Sequence, residues 1–181
     1  MNQNDLFKKI KRSCYFFFRK IMLFVPNLIY SNKKHKYVFI LSPPFSGSTL
    51  LNQILSSSKN VSCNNNIGTR EGQTLPGVKE IIFDSNRWDK NKKLPWQRIK
   101  KIWTSHWYLK KPILLDKSTT NIMRIDDLIK TFGTTYFICL IRNPYAICEG
   151  IMRRSGKSAE DAAKFTVDCL NYQMQNIQNN E

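Results

Sequence analysis

No uncharged apolar stretch of this sequence reaches the ~20 residues that a bilayer-spanning helix needs. The nearest candidate, residues 14–30 (CYFFFRKIMLFVPNLIY), is cut by Arg19 and Lys20. The segment also lacks a small-residue cleavage site, which argues against a secretory leader. No two of the five cysteines, at 14, 63, 139, 148 and 169, stand at C-x-x-C spacing, so zinc-ribbon and thioredoxin-type sites are excluded. Their odd count, with Cys139 and Cys169 in apolar patterns, suits small core residues in a reducing compartment. Acidic residues are scarce, 13 against 29 Lys and Arg, a net charge of +16. With 41% hydrophobic and 23% charged residues, the composition excludes a collagen-like or disordered chain. Its 181 residues suffice for one domain with a real core.

The excess charge is concentrated. Residues 1–36 hold nine Lys or Arg against one acid, and residues 87–111 hold nine against one, so each segment is +8. Residues 37–86 and 112–181 each sum to zero. Such a distribution is a weak case for nucleic acid, and no nucleic-acid partner is expected. A polyanionic small molecule or an anionic membrane surface accounts for the total equally well. Residues 1–36 read as a basic, apolar N-terminal helical segment with two fates open. It either packs on the domain or lies on an anionic membrane.

From residue 37 the pattern becomes regular. Tyr37–Leu41 is a short apolar run suited to a buried parallel strand, and Pro43 and Pro44 stop its ladder. Leu50, Leu51, Ile54 and Leu55 then recur at helical spacing up to Ser56-Ser57-Ser58. A strand, a tight turn and a helix follow one another. At the turn, Gly47 permits close approach of the backbone, and Ser46, Ser48 and Thr49 add hydroxyl donors to the positive end of a helix. The arrangement suits a phosphate, although a plain strand-to-helix turn with good capping residues would read similarly. It is not a Walker A loop, because no lysine follows Gly47.

A second stretch repeats the logic. Ile113–Leu115 is a strand end, followed by Asp116-Lys117-Ser118-Thr119-Thr120-Asn121. Ile125, Leu128, Ile129 and Phe132 predict one helical face, with Gly133 as terminator. Tyr136–Ile141 predicts another buried strand, leading to Arg142-Asn143-Pro144, where Asn143 caps and Pro144 opens a helix. Ser158 and Asp161 resemble a capping box for a last helix to about Gln178, with Ala162, Phe165, Cys169 and Tyr172 near one face. This alternation implies an α/β fold with a parallel sheet, in which ligands bind beyond the carboxyl ends of the strands.

Pro44-Phe45-Ser46-Gly47-Ser48-Thr49-Leu50 resembles the 5′-phosphosulfate loop, P-[RK]-S-G-[ST]-[TS]-L, of sulfotransferases that use 3′-phosphoadenosine 5′-phosphosulfate (PAPS). Asp116–Asn121 and Arg142-Asn143-Pro144 resemble the same family's E-K-[ST]-P-x-N and R-[DN]-P stretches in order, and Lys117 and Glu71 resemble residues of its bacterial and protein-tyrosine branches. The resemblance covers residues 37–178. It implies a P-loop-like parallel sheet flanked by helices over residues 37–181, behind the separate segment 1–36. It implies sulfuryl transfer from PAPS to an acceptor hydroxyl of a small molecule, glycan, lipid or peptide, with no metal. Ser46, Gly47, Ser48, Thr49, Arg142 and Arg154 would bind the donor. Lys117 would stabilise the leaving group, and Glu71 would be the base. His106 is the alternative base, and Arg153 could stand in for Arg154.

Three departures stand beside the likeness. Phe45 occupies the loop's usual Arg/Lys position, Gly150 the usual serine position after Arg142, and the family's later R-Y-E-D-L-like stretch is missing. Three readings follow: a shortened member, a chain whose missing part is supplied by a partner or another copy of a homo-oligomer, or a chain that binds donor poorly. The alternative is a non-catalytic nucleotide- or membrane-surface-binding protein that keeps the fold. The expected location is cytoplasmic, or peripheral on a membrane. The tryptophans among the lysines of 87–111 would either stack on a base or sugar or face the core.

Overall fold

A computed structural model describes residues 3–83 and 87–179. Four parallel strands form one sheet: β1 (Lys36–Leu41), β2 (Val61–Cys63), β3 (Ile113–Asp116) and β4 (Thr135–Cys139), in the order β2-β3-β1-β4. β1 is central, pairing Val38 with Leu115 on one side and Tyr136 on the other. Helices cover both faces, so the fold is α/β with a P-loop-like parallel sheet.

Side chains of β1 alternate between two cores, as a strand buried on both faces must. Phe39 and Leu41 join Trp103, Trp107, Leu114, Leu128 and Phe132 on the face covered by α4 (Trp96–His106) and α5 (Ile125–Phe132). Ile40 joins Leu115, Val61 and Leu51 on the face covered by α2 (Ser48–Ser56). Between α2 and α4 lies a short α3 (Lys79–Ile82). Beyond β4 come α6 (Pro144–Ser155) and α7 (Ala159–Gln178), which pack together through Ile147, Ile151 and Ala162. Gln173 of α7 donates to the Leu41 carbonyl at 2.7 Å and so anchors α7 at the carboxyl end of β1.

Most elements expected from the sequence are present, with their predicted punctuation. The Asn143 side chain accepts from the Tyr145 and Ala146 N–H groups, Ser158 accepts from the Asp161 N–H, and Gly133 follows α5 at φ +76°. Several expectations are corrected. β2 was not expected, and its three residues are too few to show a period. Tyr136–Ile141 was expected to be a buried strand, but β4 is an edge strand that ends at Cys139, and Tyr136 and Ile141 are about half exposed or more. Ile129 was placed on the buried face of α5 and is exposed, since Ile125, Leu128 and Phe132 already fill that contact.

The N-terminal segment forms α1 (Gln3–Ile29), which packs against α4. Phe16 inserts into the core beside Trp103 and Leu75. Tyr15 and Tyr30 pack against the same core, and polar contacts add to them. Arg12 donates to the Thr74 carbonyl and hydroxyl, Arg19 to the Cys63 and His106 carbonyls, and Asn27 to the Trp107 carbonyl. No described helix is long and apolar enough to cross a membrane.

Candidate active site

The cleft lies beyond the carboxyl ends of β1 and β3. Pro44, Gly47, Ser48 and Thr49 form one wall, Glu71 and Gln73 another, Lys117 and Thr119 the floor, and Arg154 and Lys157 the rim. Its volume is about 790 Å³. α2 begins directly at the loop, and its first N–H groups have no helical carbonyl to donate to. Gly47 caps the helix at φ +88° with open space where a side chain would project, so backbone and ligand can approach closely. The Ser46 hydroxyl is buried without a hydrogen-bond partner among the described residues and does not line the cleft, although Gly47, Ser48 and Thr49 beside it do.

Lys117 joins the two halves of the site. It is only 2% exposed, yet its ammonium reaches Thr49 Oγ1 at 3.1 Å, Ser48 Oγ at 3.4 Å and Glu71 Oε1 at 3.1 Å. A buried ammonium without partners would be prohibitively desolvated, and here a carboxylate and two hydroxyls compensate it. Glu71 is buried, because the preceding Arg70 pins the loop to α2 through the Asn52 side chain at 2.7 Å and Ser56 at 2.7 Å. Gln73 donates to both Glu71 Oε2 and Thr119 Oγ1, holding the carboxylate from its other side.

Sequence reasoning missed the support beneath this cluster. Asp116, at the end of β3, is fully buried and accepts four hydrogen bonds: from Asn64 Nδ2, the Gly72 N–H, the Ser118 N–H and Asn121 Nδ2, all at 2.8–2.9 Å. It fixes the turns carrying Lys117 and Glu71 to one point. Gly72 must be glycine, since a Cβ there would fall 2.2 Å from Asp116 Oδ1 and 2.4 Å from Asn64 Nδ2. An acid closing an apolar strand was the available signal for Asp116, because carboxylates are rarely buried unless fully paired. Nothing local marked Gln73 or Gly72.

The remaining candidates fall in different places. Arg154 is exposed on the cleft rim. Arg153 turns away and pairs with Glu149 at 2.8 Å. Arg142 is exposed, does not line the cleft, and donates to the Phe45 carbonyl at 2.6 Å. It therefore grips the loop from outside. Phe45 stands at φ +63°, unusual for a bulky residue, and leans on Gly150, where a Cβ would fall 2.9 Å from Phe45 Cβ. His106 lies outside the cleft, beneath α1 against Phe16. Burial first, then the positive Arg19 and Lys20, push its pKa down to about 4, so it is a neutral packing residue. Trp96, Trp103 and Trp107 face the core. Of the tryptophans, Trp88 alone reaches the cleft, where it meets Phe165 edge to face at 4.8 Å. The five cysteines are unbonded, and burial pushes the Cys169 thiol up to about 12, so it is inert.

The fold and cleft define an α/β protein with a hydroxyl-bearing loop at a helix N-terminus, a buried lysine and a paired carboxylate at the carboxyl ends of its strands. Residues 38–180 match the sequence family described as "Sulfotransferase family", and the chain belongs to that family. Membership supports sulfotransfer as its general activity. No curated protein and no solved structure matches the chain.

Proposed function

We propose that the protein transfers the sulfuryl group of PAPS to an acceptor hydroxyl. The observation that carries this reading is Lys117 Nζ, which touches the loop hydroxyls and Glu71 at once. The donor supplies an activated sulfuryl group and a phosphate leaving group. Ser46, Gly47, Ser48 and Thr49 would take its 5′ end, a reading supported by the free helix end at Gly47 and by Ser48 and Thr49 lining the cleft.

Each residue then has a defined task. Glu71 accepts the acceptor's hydroxyl proton, and Lys117 meets the negative charge left on the bridging oxygen. Their contact at 3.1 Å aims the carboxylate before substrate arrives. Lys117 also provides the cation that Phe45 does not. Arg142 and Arg154 would take the 3′-phosphate, Arg142 exchanging the Phe45 carbonyl for a phosphate oxygen.

Calorimetry with adenosine 3′,5′-bisphosphate, against ATP with Mg²⁺, tests this reading. The bisphosphate is expected to bind and ATP to bind more weakly. Preference for ATP would overturn the assignment. Binding of the bisphosphate with no turnover of any hydroxyl acceptor would favour a non-catalytic nucleotide-binding protein.

A further inference from the structure

α1 wears its apolar side outward. The residues that reach the domain recur as Arg12, Phe16, Arg19, Leu23, Asn27 and Tyr30, steps of three and four that trace one helix face. That face docks through Phe16 and Tyr30 against the core and through side-chain hydrogen bonds from Arg12, Arg19 and Asn27 to backbone carbonyls. The opposite face carries Phe17, Phe18, Ile21, Phe24, Val25 and Leu28, each at least 55% exposed. Single exposed apolar residues need no explanation, but a continuous stripe along one helix does.

The charge around this stripe has a definite sign. The two segments of +8, some fifty residues apart in sequence, come together because α1 packs on α4. Their ends are tied by Lys33 Nζ donating to the Lys110 carbonyl at 2.7 Å and by the His35 ring donating to the Leu109 carbonyl at 2.8 Å. Lys11, Lys20, Lys34, Lys36, Lys101 and Lys110 are all exposed, and the two segments contain only two acids.

We infer that this face seats on an anionic lipid bilayer, with α1 lying in the interface and not crossing it. A helix of 27 residues is about 40 Å long, enough to lay its phenylalanines among the acyl chains while lysines reach headgroups. The occupant follows from the charge. A second copy would bring the same basic rim against itself, whereas an anionic headgroup layer satisfies the stripe and the cations together.

The test is vesicle flotation of the full chain, with phosphatidylcholine alone and with phosphatidylserine added. Deleting α1 is unsuitable because it would strip Phe16 from the core. Wild type should float with the phosphatidylserine vesicles and lose binding as salt rises. F17S/F24S/L28S, on the outward face, should weaken binding at least about tenfold while the melting curve holds. K20Q and K34Q should each weaken it by up to about fivefold. No flotation, or equal flotation with both vesicle types, would overturn the inference. So would a dimer that the triple variant dissociates while vesicle binding is unchanged.

Discussion

The two turns that close on the cleft region hold their cations in opposite ways. Lys117, on the turn after β3, is almost fully buried and has three partners, all on other elements. Arg142, on the turn after β4, is exposed and contacts one backbone carbonyl across the loop. The difference follows from sheet order. β3 lies between β2 and β1, so its carboxyl end opens into a protein-lined cavity, while β4 is an edge strand and the turn after it is exposed. A buried cation acts on a bound group without screening, whereas an exposed one holds a ligand more weakly and can change partners. On the proposed function, the first turn serves the reacting bond and the second serves recognition.

The largest effect should come from Lys117→Met, which removes the buried cation but keeps most of its volume. Turnover should fall roughly 10²–10³-fold, as for loss of one preorganised charge-stabilising donor. Adenosine 3′,5′-bisphosphate binding should fall less, since the loop's N–H and hydroxyl groups remain. Stopped-time sulfuryl-transfer assays paired with calorimetry separate the two quantities. A Lys117→Met enzyme with full turnover would remove the lysine from the chemistry.

Arg142→Ala should act on binding instead. Loss of one solvent-screened guanidinium–phosphate contact should weaken bisphosphate binding roughly tenfold, with little change in turnover at saturating donor. Lys130→Ala, an exposed cation on α5, is the control and should change binding less than twofold. Arg124 cannot serve as that control, because it is buried and donates to the carbonyls of Asp89, Lys90 and Lys92, holding that loop in place. Equal losses from Arg142→Ala and Lys130→Ala would reduce the second turn to general electrostatics.

How much of this was legible depended on how local the determinants are. β1, its loop and α2 were readable because an apolar run, two prolines and a helical repeat lie within twenty residues of one another. Asn143 and Ser158 were readable because capping is a contact of two or three residues. The order of strands was not, and with it went the exposure of β4 and Arg142. The inward face of α1 was also hidden, because it docks through arginines and an asparagine while most of its large apolar residues stay outside. The cluster of Asp116, Asn64, Gly72 and Gln73 unites residues up to 52 positions apart, and only folding shows that they meet.

The loop itself offers the smallest and most specific test of how the turns differ. Phe45 and Gly150 both depart from the pattern that the loop and the Arg142 turn resemble, and they touch. With Phe45 at φ +63° and its Cβ where a side chain at 150 would stand, each residue limits the other. Gly150→Ser alone should cost about 1–3 kcal/mol through overpacking, seen as a lower urea midpoint. Phe45→Gly relieves the left-handed backbone but loses the ring's packing, so its own effect should be near zero. The double variant should recover part of the Gly150→Ser loss, a coupling of about 0.5–2 kcal/mol. Additive effects would mean that the two departures are independent, and that the loop is set by the Arg142–Phe45 carbonyl contact without help from α6.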